Sequence, residues 1–158
     1  MKITIETLVN SDLETVWAAW NDPAAIKQWN AASDDWHTPQ ASVDLREGGK
    51  FTSRMEAKDG SAGFDFEGTY TRVEPNKLIE FVNHFTDKDR TRLDPAQIGM
   101  PPGIPKEVPH VITFKELDGD RTAVTVTEYG YTVEQARDIS KMGMEQCLDK
   151  MAMIFAEP

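Results

Sequence analysis

Along residues Lys2 to Val9 the side chains alternate, with Ile3, Ile5 and Val9 on one parity. That spacing predicts a half-buried strand. Ser11 and Glu14 then stand at capping-box spacing, with Ser11 expected as N-cap. The helix they open carries Leu13, Val16, Trp17 and Trp20 at helical intervals, and Asn21-Asp22-Pro23 ends it. A second short helix starts at Pro23, a favoured first-turn position, and turns Ile26 and Trp29 inward. A polar stretch with Trp36 and His37 reads as loop. Three hairpins follow, with turns at Glu47-Gly48-Gly49, Glu74-Pro75-Asn76 and Asp118-Gly119-Asp120. A second capping box, Thr132 with Gln135, is expected to open a long helix running to Phe155.

The order is strand, two helices, six strands, one long helix. Antiparallel hairpins with helices on one side make an α+β domain, and the final helix must cover the sheet. That helix is uneven. Ala136, Ser140 and Gly143 occupy the first half of its apolar face, and Leu148, Met151, Ile154 and Phe155 the second. Small residues either let the helix pack closely on the sheet or leave a cavity beneath it. Both readings stay open on the sequence alone.

Strand parity nominates the inward side chains. Phe64, Phe66, Gly68 and Tyr70 share one face, and Ile79, Phe81, Asn83 and Phe85 another. In the last hairpin, Ile112 and Phe114 place His110 inward, and Val124 and Val126 do the same for Glu128. A three-residue turn at 118–120 sets Phe114 opposite Val124, Ile112 opposite Val126, and His110 opposite Glu128; a turn shifted by one residue makes His110 and Glu128 diagonal neighbours instead, still within reach. A histidine beside a carboxylate in an apolar wall can hold a ligand or move a proton. It can also be a satisfied buried polar pair.

Length and composition fit one domain with a core that needs no disulfide staple. The net charge of −10 argues against nucleic acid and against anionic membranes as partners. The one cysteine, Cys147, suits a reducing compartment, and its place on a buried helix face suits an inert thiol. No signal peptide or membrane-length apolar run is visible, so a cytoplasmic location is expected. His37, His84 and His110 have no metal-ligand spacing, and no phosphate loop or nucleophile motif appears. No cofactor is therefore expected.

The stretches NDPAAIKQWN, VDLREGGKF, FEGTYTRVEPNKLIEF and GMEQCLDKM resemble the family named for the C-terminal domain of the activator of Hsp90 ATPase. That family lies within the START-like, or Bet v 1-like, superfamily. The motif residues are Pro23, Trp29, Asp44, Gly48, Gly49, Gly68, Pro75 and Leu78. Met144 departs from the pattern, since many relatives carry Trp after the helix glycine. The resemblance implies a helix-grip fold: a curved antiparallel sheet of six to seven strands around a long C-terminal helix, with a cavity between them. It implies an apolar ligand there, or, as in a minority of the superfamily, an enzyme. The chaperone role in the family's name is not carried over, because nothing in these residues matches the eukaryotic activator's separate N-terminal domain.

The leading expectation is a module binding a small apolar molecule. Its cavity would be walled by Trp17, Phe64, Phe66, Tyr70, Phe81, Phe85, Gly143 and Met144, with Arg54, His110 or Glu128 as polar anchors. The alternatives are a cyclase- or hydrolase-like enzyme using His110 and Glu128, and a protein-interaction module. One stretch remains. Asp87 to Pro109 lacks a helical or strand period and includes GMPPGIPKEVP. Such a connection is either a semi-rigid lid closed by Met100 and Ile104 or a loop without a role.

Overall fold

A computed structural model describes residues 1–31, 34–118 and 120–155. The chain runs β1 (Ile3–Val9), α1 (Leu13–Asn21), α2 (Pro23–Trp29), β2 (Trp36–Val43), β3 (Lys50–Ala57), β4 (Gly63–Glu74), β5 (Leu78–Thr86), β6 (Val108–Glu116), β7 (Thr122–Glu128) and α3 (Glu134–Ile154). The strands form one antiparallel sheet in the order β1-β7-β6-β5-β4-β3-β2. The sheet curls into a half-barrel around α3, and α1 and α2 follow β1. This is the helix-grip architecture.

The alternating patterns translate directly into burial. Ile3, Ile5 and Val9 of β1 are buried, and so are Ile112, Phe114, Val124 and Val126 of the last hairpin. That hairpin has the register its sequence predicts: Phe114 faces Val124, Ile112 faces Val126, and His110 faces Glu128. Its turn includes Gly119, which lies outside the described residues. The packed core continues into the second half of α3, where Leu148 and Met151 have no exposed surface.

Several local expectations fail, each for a visible reason. β2 begins at Trp36, within the stretch read as loop. It is an edge strand, and its register shifts between His37 and Gln40, around Pro39. A proline at a bulge on an edge strand removes no ladder hydrogen bond, and it hides the alternation. Neither expected capping box forms. The N-cap of α1 is Asp12 and that of α3 is Val133, and neither makes a side-chain cap bond. Thr132 is instead drawn to the proline-rich connection, where its backbone N–H donates to the Gly103 carbonyl at 3.1 Å. A reciprocal capping box does occur at Asp94 and Gln97. It opens a 3₁₀ turn, Pro95–Ile98, inside the segment read as lacking regular structure.

Candidate functional site

A cavity of about 350 Å3 lies between the sheet and the first half of α3. Of the expected wall, Phe64, Phe66, Tyr70, Phe81, Phe85, Gly143 and Met144 line it, as do His110 and Glu128. Trp17 and Arg54 do not. Trp17 packs edge-on against Phe114 at 5.0 Å, and Trp20, three residues on, takes the place facing the cavity. Arg54 lies on the parity opposite to Phe51 and Met55. Its guanidinium pairs with Glu56 at 2.9 Å and with Asp65 at 3.0 Å on the face turned away from the cavity.

The floor is an aromatic series across β3, β4, β5 and β6. Phe51 sits 5.4 Å from Tyr70 and 4.8 Å from Phe81, and Phe81 stacks on the His110 ring at 4.5 Å. Gly68 makes this possible. It pairs with Phe51 across β3 and β4, and a Cβ there would fall about 2 Å from the Phe51 ring. The Phe51 ring therefore lies flat over the strand. A glycine opposite an aromatic is a sequence signal, and it would have nominated Phe51.

At the β6–β7 end the cavity carries its polar group. Nδ1 of His110 lies 3.0 Å from the Val108 carbonyl, which can only accept, so Nδ1 holds a proton. Nε2 lies 3.1 Å from Oε1 of Glu128. One proton must occupy that line too, on the imidazole or on the carboxyl. In either arrangement the pair as a whole is uncharged. The Tyr131 hydroxyl donates to the same Oε1 at 3.1 Å, and the Ser140 side chain of α3 reaches the Tyr131 oxygen. Burial, with Glu128 adding to it, raises the Tyr131 hydroxyl well above the ordinary tyrosine value. Tyr131 follows the end of β7, beyond the reach of strand parity, and sequence reasoning missed it. Both His110 nitrogens are engaged, so the histidine positions Glu128 and offers no free nitrogen to a substrate.

Cys147 also borders the cavity, but burial pushes its thiol up to about 12, so it stays protonated. The proline-rich connection borders the cavity as well. Met100, Pro101, Ile104 and Pro105 line the cavity. Gly103 between them has φ +98°, and a Cβ there would sit 2.5 Å from that of Val133, so only glycine lets the loop seat this closely on the start of α3. No cluster of His, Cys, Asp and Glu suited to a metal ion occurs among the described residues. Nor is any helix among them long and apolar enough to cross a membrane.

A curved antiparallel sheet gripping a long helix over a lined cavity defines the class, a helix-grip domain. Residues 10–156 match the model of the Activator of Hsp90 ATPase homolog 1-like family, and the chain belongs to that family. It is 35% identical to an AHSA1-like protein from Aeromonas hydrophila, whose solution structure superposes with a TM-score of 0.69 over 98% of this chain and 94% of that one. A protein from Cytophaga hutchinsonii is 34% identical, with a TM-score of 0.66 over 97% and 90% of the two chains. A Chromobacterium violaceum protein shares the fold at a TM-score of 0.79 and 19% identity, over 99% and 98%. No curated protein matches the chain.

Proposed function

We propose that the protein binds a small, largely apolar molecule in the cavity beneath the first half of α3. The observation that carries this reading is the space itself. Close-packed interiors hold few voids larger than a water, whereas about 350 Å3 lies open here among Phe, Tyr, Ile and Met side chains. Ligand sites are of this kind, roughly 300–1,000 Å3, mostly apolar with a few polar groups that fix orientation. The engaged nitrogens of His110 favour binding over acid–base catalysis. The stretch from Met100 to Pro105 serves as the cover.

Native mass spectrometry of freshly purified protein, compared with its denatured mass, tests the reading. The expected result is a second apolar mass that leaves on denaturation. Gly143→Leu should abolish it by filling the cavity, and Leu is favoured over Gly in a helix by about 1 kcal/mol, so the fold is kept. Deleting Gln97 to Lys106 should weaken retention. An extra mass that survives Gly143→Leu undiminished places the ligand elsewhere, and a clean apo mass in every sample removes the carrier role.

A further inference from the structure

Among the described residues, five buried side-chain polar atoms lack a hydrogen-bond partner, and three of them, Trp20 Nε1, Asn21 Oδ1 and Glu128 Oε2, belong to residues that line this cavity. Buried polar groups are normally satisfied, so a concentration of exceptions at one cavity calls for a physical reason. Glu128 is the sharpest case. The residue is 5% exposed. Its Oε1 serves both His110 and Tyr131, while Oε2 has no donor and is closed to water. Leaving a buried carboxyl oxygen unmet is costlier than leaving a neutral acceptor.

The other two orphan atoms cannot relieve it. Trp20 sits against Phe114, 6.2 Å between ring centroids. Phe114 is four residues from His110 on β6, about 13 Å along an extended strand. No other donor among the described residues reaches Oε2, so a molecule in the cavity is the remaining source once the carboxyl turns to present that oxygen. That molecule's charge is also constrained. The described lining includes no Lys, Arg or Asp, its second histidine, His84, turns its ring away to Glu67 on the outward parity of β5, and the proton between His110 and Glu128 leaves that pair neutral. A cationic or anionic headgroup would be buried without a countercharge, which is strongly unfavourable.

We propose that the ligand is an uncharged, predominantly apolar molecule ending in a hydroxyl or amide N–H, which donates to Oε2 of Glu128. This rests on the cavity-binding reading above and names the chemistry of its occupant. The terminal torsion of a glutamate is broad, so the carboxyl turns towards a donor at little cost. Tyr131 and His110 hold Oε1 and leave the second oxygen for the ligand.

Calorimetric titration at neutral pH with four probes of one skeleton tests this: 2-naphthylmethanol, its methyl ether, 2-naphthylmethylamine and 2-naphthoate. The alcohol should bind about tenfold or more tighter than the ether, the difference of one hydrogen bond to a carboxyl group. It should also bind more tightly than the ammonium and carboxylate probes. Glu128→Leu, which removes both oxygens, should bring the alcohol-to-ether affinity ratio down to about one. If that variant does not fold, the four-probe comparison on the unaltered protein decides. Equal binding of alcohol and ether overturns the donor assignment and leaves cavity binding standing. Tightest binding by the amine or the naphthoate overturns the neutrality argument. No binding by any probe overturns both readings.

Discussion

The two faces of β3, β4 and β5 bury polar groups in opposite ways. On the face turned from the cavity, charges meet charges: Arg54 lies between Glu56 and Asp65, His37 contacts Glu56 at 3.2 Å, and Lys50 reaches Glu67 at 3.4 Å. Partly exposed pairs of this kind contribute little each, about 0–1 kcal/mol, but nothing in them is left wanting. On the cavity face the same strands present Phe51, Phe64, Phe66, Phe81 and Phe85, and the polar atoms around them include orphans. The charge-paired face reads as structure, although Thr86 Oγ1 on it also lacks a partner. The cavity face is where the molecule proposed above would have something to supply.

The largest effect expected separates the cavity face into a packed end and an open one. Leu148 is fully buried, whereas Met144 is half-buried beside the cavity, both on α3. Leu148→Ala should cost about 2–5 kcal/mol, because a void opens in close-packed surroundings. Met144→Ala removes a side chain that already borders space, and should cost less than about 1 kcal/mol by the same cavity logic. Urea denaturation of both variants checks the contrast. Similar losses would mean that the two ends of the helix are equally packed.

Next in size is Gly68→Ala, which probes the aromatic floor. The added methyl must displace the Phe51 ring and, through it, Phe81 and His110. Overpacking of this kind costs about 1–3 kcal/mol. Thermal melting would show it, and near-ultraviolet circular dichroism should report the shifted rings. An unperturbed aromatic spectrum would show that Phe51 moves independently of its neighbours.

Much of this contrast was legible in the sequence, and its limits are physical. Period-two alternation carried the register of the last hairpin down to the His110–Glu128 pair, because a slip by one residue would turn every apolar side chain outward. The small residues of α3 marked where space opens, although on their own they fitted close packing equally well. Arg54 was misplaced against its own parity, which sets it beside Glu56 rather than with Phe51 and Met55. Trp17 and Trp20 fall on one broad apolar face and both pack against Phe114, so only the tertiary fold decides which of them looks into the cavity. The capping signal at Ser11 lost to its neighbour, since its hydroxyl donates to Asp12 and Asp12 takes the N-cap, while at Thr132 the backbone is tied to Gly103 and the helix starts one residue later. Tyr131 was beyond reach, since its role depends on how the chain turns after β7.

The smallest effect belongs to the outward face and comes from its least complete pair. His84 keeps 10% of its side chain exposed and lies 3.9 Å from Glu67. Burial, then the nearby Arg92 charge, lower its pKa below the ordinary histidine value of 6.5, against weaker opposition from Glu67 and Glu107, with Lys50 adding a small push in the same direction. The proton is therefore bound more readily by the unfolded chain than by the folded one. The stabilising contribution is fully present above pH 6.5 and drains away as pH falls through the folded value. Carboxylates that the fold holds low, such as Glu56 beside Arg54, lose their contribution only at more acidic pH. Melting temperature should thus decline modestly between pH 7.5 and 5.5, and His84→Gln should flatten that decline. A decline that persists unchanged in the variant would mean that the outward face is as fully compensated at His84 as it is at Arg54.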